Sequence, residues 1–154
     1  VQDVPAITRR AAYRDLEGLL VLYRHLTPDM PRLGDDLAET RWREILAADH
    51  VAVFVTEADR VLVATTALIT APNLMRGGTP HGFLENVVTH ADHRRRGHGR
   101  EAVEAGLSEA WARGCERVLL VTGRMHLNPH VADFYESCGF RSGRAGLMVQ
   151  RPSV

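Results

Sequence analysis

Gly82-Phe83-Leu84-Glu85-Asn86-Val87-Val88-Thr89-His90-Ala91-Asp92-His93-Arg94-Arg95-Arg96-Gly97-His98-Gly99-Arg100 is the stretch on which the reading of this chain turns. Its first half, Phe83 to Thr89, is apolar and β-branched, follows a glycine, and reads as a strand. His90 to His93 is a polar loop, and Arg94 to Gly99 is a basic glycine turn. From Arg100 onward Ala102, Val103, Gly106, Leu107, Ala110 and Trp111 recur at helical spacing, with Gly114 as the stop signal. A strand that feeds a glycine turn at a helix N-terminus makes an anion site. The first-turn N–H groups have no intrahelical acceptors, the helix dipole favours negative charge, and glycine admits close backbone approach.

The glycine spacing narrows the anion. A dinucleotide fingerprint requires a third glycine in register, which Ala102 and Val103 do not supply, and the Gly-Lys-Ser/Thr of a P-loop is absent. What remains is Arg94-x-x-Gly97-x-Gly99. Taken alone, this short motif also fits a basic surface turn that starts a helix, so the rest of the chain has to decide.

The chain has 154 residues, which predicts one domain over residues 1–154, able to bury about two-thirds of its unfolded surface. Lys+Arg and Asp+Glu both number 19, and a formal net charge of zero argues against nucleic acid as a partner. No apolar run approaches the roughly 18 residues of a membrane span, so no membrane association is expected. Cys115 and Cys138 have no metal or redox spacing; they read as core thiols in a reduced, cytoplasmic compartment.

Read in order, Ala6–Arg10 predicts a first strand and Tyr13–Leu26 a helix with Leu16, Leu19, Leu20, Tyr23 and Leu26 on its apolar stripe. Pro28 and Pro31 break it. A second helix from about Asp35 to Ala48 carries a weaker apolar face of Leu37, Trp42, Ile45 and Leu46. His50–Thr56 and Val61–Thr70 form a hairpin around Glu57–Arg60. After the central strand, turn and helix, Arg117–Thr122 predicts a buried strand parallel to the Phe83–Thr89 strand, joined to it by a right-handed crossover. A short helix over Val131–Ser137 ends at Gly139, and Phe140–Arg151 gives a final strand or pair of strands.

This order, β-α-α-β-β-β-α-β-α-β, resembles the GNAT (GCN5-related) N-acetyltransferase superfamily, and so do its motifs. Arg94-x-x-Gly97-x-Gly99 is similar to the family's acyl-CoA pyrophosphate loop. Asn128 followed by Phe134-Tyr135-Glu136-Ser137-Cys138-Gly139-Phe140 resembles its C-terminal segment, with Val131 and Pro129 as departures. Leu84 to Val88, Gly114-Cys115 and the Phe134–Phe140 run are locally similar to glucosamine-phosphate N-acetyltransferases. The resemblance implies an α/β (α+β) fold with a central mixed, mostly antiparallel sheet flanked by helices. It also implies acetyl-CoA as cosubstrate, a small-molecule amine as acceptor, and the family's tendency to form homodimers. An acyl-CoA-binding regulatory domain without turnover, and a peptide or protein amine as acceptor, are the alternatives.

Acetyl transfer needs a bound thioester, a deprotonated amine and a proton for the departing thiolate. By the resemblance, Arg95 to Arg100 (Arg95, Arg96, Gly97, His98, Gly99, Arg100) offers its backbone to the pyrophosphate, with Arg94 to Arg96 adding charge. Val87 and Val88 pair with pantetheine as an added strand and polarise the thioester carbonyl. Tyr135, at a helix start, is the expected acid toward sulfur, with activity falling at high pH as it ionises; a half-buried core tyrosine is the other reading. Asn128 either bonds the cofactor or caps the next turn. Glu85 is the carboxylate of the central strand, where half-burial would tune it as base; an ammonium clamp or a structural salt bridge are its alternatives. Strand alternation puts Asn86 on the opposite face. Of eight histidines, the pairs His90/His93 and His126/His130 lack a completing ligand, so no metal is expected. Arg32, Arg76 and Arg124 stand on loops where an anionic acceptor could use them.

Overall fold

The structure, a computed structural model, describes residues 5–124, 128–142 and 150. It is a mixed α/β fold with a central, mostly antiparallel sheet flanked by helices. The chain divides into two compact units, Val1–Leu120 and Val121–Val154.

In the first unit β1 (Ile7–Arg10) leads through a single 3₁₀ turn into α1 (Leu16–Leu26), and α2 (Asp35–Ala47) follows. β2 (Val51–Ala58), β3 (Val61–Ala71) and β4 (His81–Thr89) come next, then α3 (His98–Ala112) and β5 (Val118–Leu120). The strands lie in the order β1-β2-β3-β4-β5, with the first three pairings antiparallel and β4–β5 parallel. The hairpin turn is tighter than its sequence suggests. Ala58 pairs with Val61, leaving only Asp59 (φ 50°) and Arg60 (φ 65°) between the strands, the two left-handed residues that a twist-matched hairpin requires. β5 is shorter than expected and half-buried rather than buried.

Two cores form on the two faces of the sheet. On one, Leu19 of α1 and Trp42 of α2 pack against Val53, Val55 and Ala67. Trp42 donates its indole N–H to the Tyr13 carbonyl at 3.1 Å, whereas Leu37, Ile45 and Leu46 of the expected α2 face are exposed. On the other, α3 buries Ala102, Val103, Gly106 and Ala110, while Trp111 remains half exposed at 50%. Cys115 is buried; Cys138, expected in the core, is only half-buried.

Asp15 is 5% exposed although charged. It accepts Arg9 Nη1 at 2.7 Å, Arg9 Nη2 at 2.9 Å and the Ala12 N–H at 2.7 Å, and the Arg9 guanidinium also reaches Glu57 at 2.8 Å. One arginine thus fixes the start of α1 against β1 and β2. Its charge, together with the Ala12 hydrogen bond, holds the Asp15 carboxyl below the usual range despite burial.

In the second unit α4 (His130–Ser137) ends in a Schellman motif. Gly139 has φ 92°, its N–H reaches the Glu136 carbonyl at 2.9 Å, and the Phe140 N–H reaches the Tyr135 carbonyl at 3.0 Å. The strand or strands expected over Phe140–Arg151 lie largely outside the described residues.

Gly106 determines how closely α3 sits on the sheet. A Cβ there would stand 2.9 Å from Leu84 Cδ2 and 3.2 Å from Thr66 Cγ2, both on fully buried side chains. Alanine gains about 0.8–1 kcal/mol of helix propensity, but overpacking of this kind costs about 1–3 kcal/mol. Gly106→Ala is therefore expected to be net destabilising, by up to about 2 kcal/mol, in urea denaturation. A stabilised variant would mean that α3 has room to spare.

Candidate active site

The site begins with a break in β4. Glu85 pairs with Ala67 and Val88 with Thr65, so Asn86 and Val87 together stand opposite the single residue Thr66. This is a β-bulge, and Asn86 takes the left-handed conformation (φ 52°) that asparagine tolerates better than most residues. The extra residue resets the alternation. Leu84 and Thr66 face α3, where both approach Gly106. Glu85, partnered with the core residue Ala67, faces the α1 side, and so does Val88 beyond the bulge. Asn86 shares the register position opposite Thr66 with Val87, so the alternation slips within the bulge, and Glu85 and Asn86 are both exposed.

The parallel pairing on the other edge of β4 ends at the same place. Gly82, Phe83 and Leu84 pair with Val118, Leu119 and Leu120, and no register partner on β5 follows. Among the described residues, the β4 edge from Glu85 to Thr89 is therefore unpaired on that side. An unpaired strand edge is a template for an extended ligand.

Glu85 is exposed rather than half-buried, so burial does not supply the desolvation expected for it. Among the described residues its side chain makes no ion pair or hydrogen bond, which leaves the structural salt bridge without a partner.

Beyond β4, Arg94 to Arg96 are exposed and Arg94 Nε donates to the Thr89 carbonyl at 3.4 Å. Arg95 (φ 62°) and Gly97 (φ 90°) are both left-handed, and Gly97 is the N-cap of α3 with no side-chain capping bond. The first-turn amides are thus left for a ligand. The start of α3 is pinned from below, where the fully buried Thr56 hydroxyl donates to the His98 carbonyl at 3.3 Å.

Four histidines form a ring-to-ring array beside this loop that spacing alone did not reveal. His25, in the last turn of α1, lies 4.3 Å from His90; His90 lies 5.4 Å from His93, and His93 6.2 Å from His98. Burial, then the neighbouring His90 and Arg94 charges, push the His25 pKa down. No group of three or more His, Cys, Asp or Glu among the described residues is arranged to hold a metal ion.

The second unit carries Asn128 and Tyr135. Asn128 Oδ1 accepts the His130 N–H at 3.0 Å, so it caps the turn into α4. Tyr135 sits in the last turn of α4, not at its start. Its ring is held edge-on between Phe134 (5.0 Å) and Phe140 (5.8 Å), the latter being the apolar contact of the Schellman motif. Burial, with Cys138 adding to it and Arg124 opposing, pushes the phenol up to about 12.

An open strand edge running into an uncapped glycine turn at a helix N-terminus defines the class, and the sequence relationships agree. The chain belongs to the acetyltransferase (GNAT) family, whose model matches residues 19–140. It is an acetyl-CoA-dependent acetyltransferase with acetyl-CoA as cosubstrate. Among particular relatives, it is 32% identical over 127 residues to glucosamine 6-phosphate N-acetyltransferase 1 of Oryza sativa subsp. japonica, covering 80% of this chain and 73% of that one. It is 30% identical over 128 residues to glucosamine 6-phosphate N-acetyltransferase of Trypanosoma brucei brucei, covering 83% and 84%. A solved structure named "Putative acetyltransferase from Agrobacterium tumefaciens str. C58" superposes with a TM-score of 0.88 at 39% identity, over 94% of this chain and 99% of that one.

A side chain at Gly97 would meet nothing within 4 Å, so its cost there is backbone strain and intrusion on a ligand, not collision with the fold. Gly114, at φ 83° with equally open surroundings, is the matched control at the other end of α3. Gly97→Val is expected to weaken CoA binding at least about tenfold by calorimetry, because its side chain would occupy space that the phosphate must enter. Gly114→Val should lose comparable stability and no affinity. Equal CoA affinity in folded Gly97→Val and wild type would remove the loop from the cofactor site.

Proposed function

We propose that this acetyltransferase acts on the primary amine of a small molecule, with an amino sugar phosphate as the leading acceptor, by direct attack in a ternary complex. The observation that carries the reading is the open β4 edge beginning at Glu85. It offers a place for the pantetheine arm beside a carboxylate that has no partner among the described residues. The names of the curated relatives support the choice of acceptor.

In this reading the amides of Arg95 to Arg100 (Arg95, Arg96, Gly97, His98, Gly99 and Arg100) receive the pyrophosphate, and the Arg94 to Arg96 side chains add charge around it. Val87 and Val88 align pantetheine as an added strand, and a backbone N–H there polarises the thioester carbonyl. The Asn128 amide contributes a further cofactor contact beside its capping bond. Glu85 takes a proton from the acceptor ammonium, directly or through water. The amine lone pair then attacks the carbonyl carbon, the C–S bond breaks, the nitrogen loses its second proton, and the CoA thiolate acquires one.

Tyr135 serves the thiolate. With its phenol near 12, full transfer to a thiolate of ordinary basicity, near 8.5, is uphill by roughly 5 kcal/mol. Its contribution is therefore mainly a hydrogen bond to the developing negative sulfur, with the proton following late. The two free cysteines accord with a cytoplasmic setting, and a homodimer and a single domain over residues 1–154 belong to the same proposal.

Glu85→Gln is expected to lower kcat by about a hundred- to ten-thousandfold and to flatten the acid side of the pH–rate profile. An ammonium clamp would instead raise KM and leave that limb in place. Wild-type kinetics would eliminate both roles.

Tyr135→Phe keeps the ring contacts, so CoA affinity should hold while kcat falls at least about tenfold. Because burial raises the folded-state pKa from near 10 to about 12, the phenol stays protonated throughout the usual assay range. Wild-type rates should thus show no Tyr135 limb near pH 10, contrary to the simple expectation from sequence. The same shift makes stability full below pH 10 and lost as pH rises from there through about 12, a loss that Tyr135→Phe should reduce. An alkaline limb near pH 10 that disappears in the Phe variant would show the phenol to be solvated.

A further inference from the structure

Three arginines among the described residues are half-buried: Arg9, Arg113 and Arg117. Arg9 is paired with Asp15 and Glu57, and Arg113 with Glu109 at 2.8 Å. Arg117 differs, because among the described residues no carboxylate pairs with it. Its Nη2 lies 3.1 Å from His81 Nε2, and its Nε is buried without a hydrogen-bond partner. A guanidinium drawn partly out of water, with a donor buried and unused, carries a standing desolvation cost that an anion would relieve.

Its position gives that anion a use. The register Gly82↔Val118 places Arg117 beside His81, and Phe83↔Leu119 comes next on the same face. Alternation along β4 then puts His81, Phe83 and Glu85 in one row ahead of the bulge, on the face away from α3. His81 and Phe83 make an edge-on ring contact at 6.1 Å. The row therefore has a cation at one end, an apolar floor of Phe83 and Leu119 in the middle, and an exposed carboxylate at the other end. His81 and Glu85 are four residues apart, roughly 13 Å of strand.

We propose that Arg117 and His81 form the anion-binding end of the acceptor site, so that the amine delivered to Glu85 belongs to a molecule carrying a phosphate or carboxylate at its far end. The inference rests on the acetyltransferase reading and on Glu85 as the amine-side group. The planar guanidinium fork suits either anion, and the His81 ring, with Nε2 3.1 Å from Nη2, holds the fork in place.

Two experiments test it. The first needs no turnover: the Arg117 Nε–H and His81 ring resonances are followed by NMR while inorganic phosphate, or acetate in a parallel series, is added to the intact chain. Saturable movement of both signals is expected, and the series with the lower Kd identifies the preferred anion. Signals that stay fixed in both titrations overturn the proposal. The second compares initial rates with acetyl-CoA for glucosamine, glucosamine 6-phosphate, n-butylamine and 4-aminobutyrate. The wild type is expected to prefer the anionic member of each chemical type. Arg117→Gln should reduce that preference in kcat/KM by about ten- to a hundredfold, the usual range for a charge-assisted hydrogen bond, mainly through KM, and Arg117→Lys should restore part of it. His81→Phe, which keeps a flat ring, serves as the second variant if Arg117→Gln does not fold. Equal use of neutral and anionic amines by the wild type, or an undiminished preference in folded variants, overturns the anion site and leaves the acetyltransferase reading intact. Movement of the resonances with no amine acetylated would instead sustain the anion site and count against the small-amine reading.

Discussion

The extra residue in β4 is the constraint around which the functional half of the molecule is arranged. With Asn86 and Val87 opposing Thr66, the strand bends after Glu85, and the parallel partner β5 follows it only as far as Leu84. One left-handed residue therefore accompanies two things at once: a backbone edge left unpaired among the described residues, and a carboxylate at the point where that edge begins. A regular strand would have alternated through this region and kept Glu85 and Val88 on opposite faces. The bulge makes them neighbours on one face, which is a common use of bulges next to functional sites.

A bend is useful only if the elements on either side of it are held. On the α3 side the glycine at 106 lets the helix rest directly on Leu84 and Thr66, and Thr56 fixes the His98 carbonyl at the helix start. On the other side Arg9 ties the entry to α1 to β1 and β2 through Asp15 and Glu57. The exposed loop Arg94–Gly97 is short of stabilising contacts of its own, but it is suspended between a strand and a helix that have little freedom. Such mounting on rigid elements is what a binding loop requires.

The order of elements was readable because each depends on local chemistry: proline at 28 and 31, glycine at 114 and 139, β-branched runs in the strands. The Gly139-Phe140 pair is a good case, since a glycine and then an aromatic after a helix is the local recipe for a Schellman ending. Other features were hidden because they are properties of pairing between distant segments. The bulge at Asn86 exists only relative to β3. The burial of Asp15 follows from Arg9, the histidine array from bringing the end of α1 to the loop after β4, and the isolation of Arg117 from the register with β4. The exposure of Leu37, Ile45 and Leu46 has the same origin: an apolar stripe states a preference, and the neighbours decide which part of it is covered. Tyr135 lies in the last turn of α4 rather than at a helix start, and the expected helix Val131–Ser137 already carried it past the midpoint.

The sheet has one more property, visible in its strand order. From β1 to β5 every strand lies next to the one that precedes it in the chain. Three of the four pairings are antiparallel; β1–β2 closes around α1 and α2, β4–β5 around α3, and the two pairings between them join strands with no α-helix in the connection. A sheet of this kind can grow in the direction of synthesis, each new strand docking beside its predecessor, with the loop-closure entropy smallest at the β2–β3 hairpin and largest at β1–β2. The bulged strand is the last antiparallel addition, so its outer edge is the growing edge of the nascent sheet until β5 docks. Its irregularity has a second consequence there: a bent, half-paired edge is a poor template for another copy of the same unfinished chain.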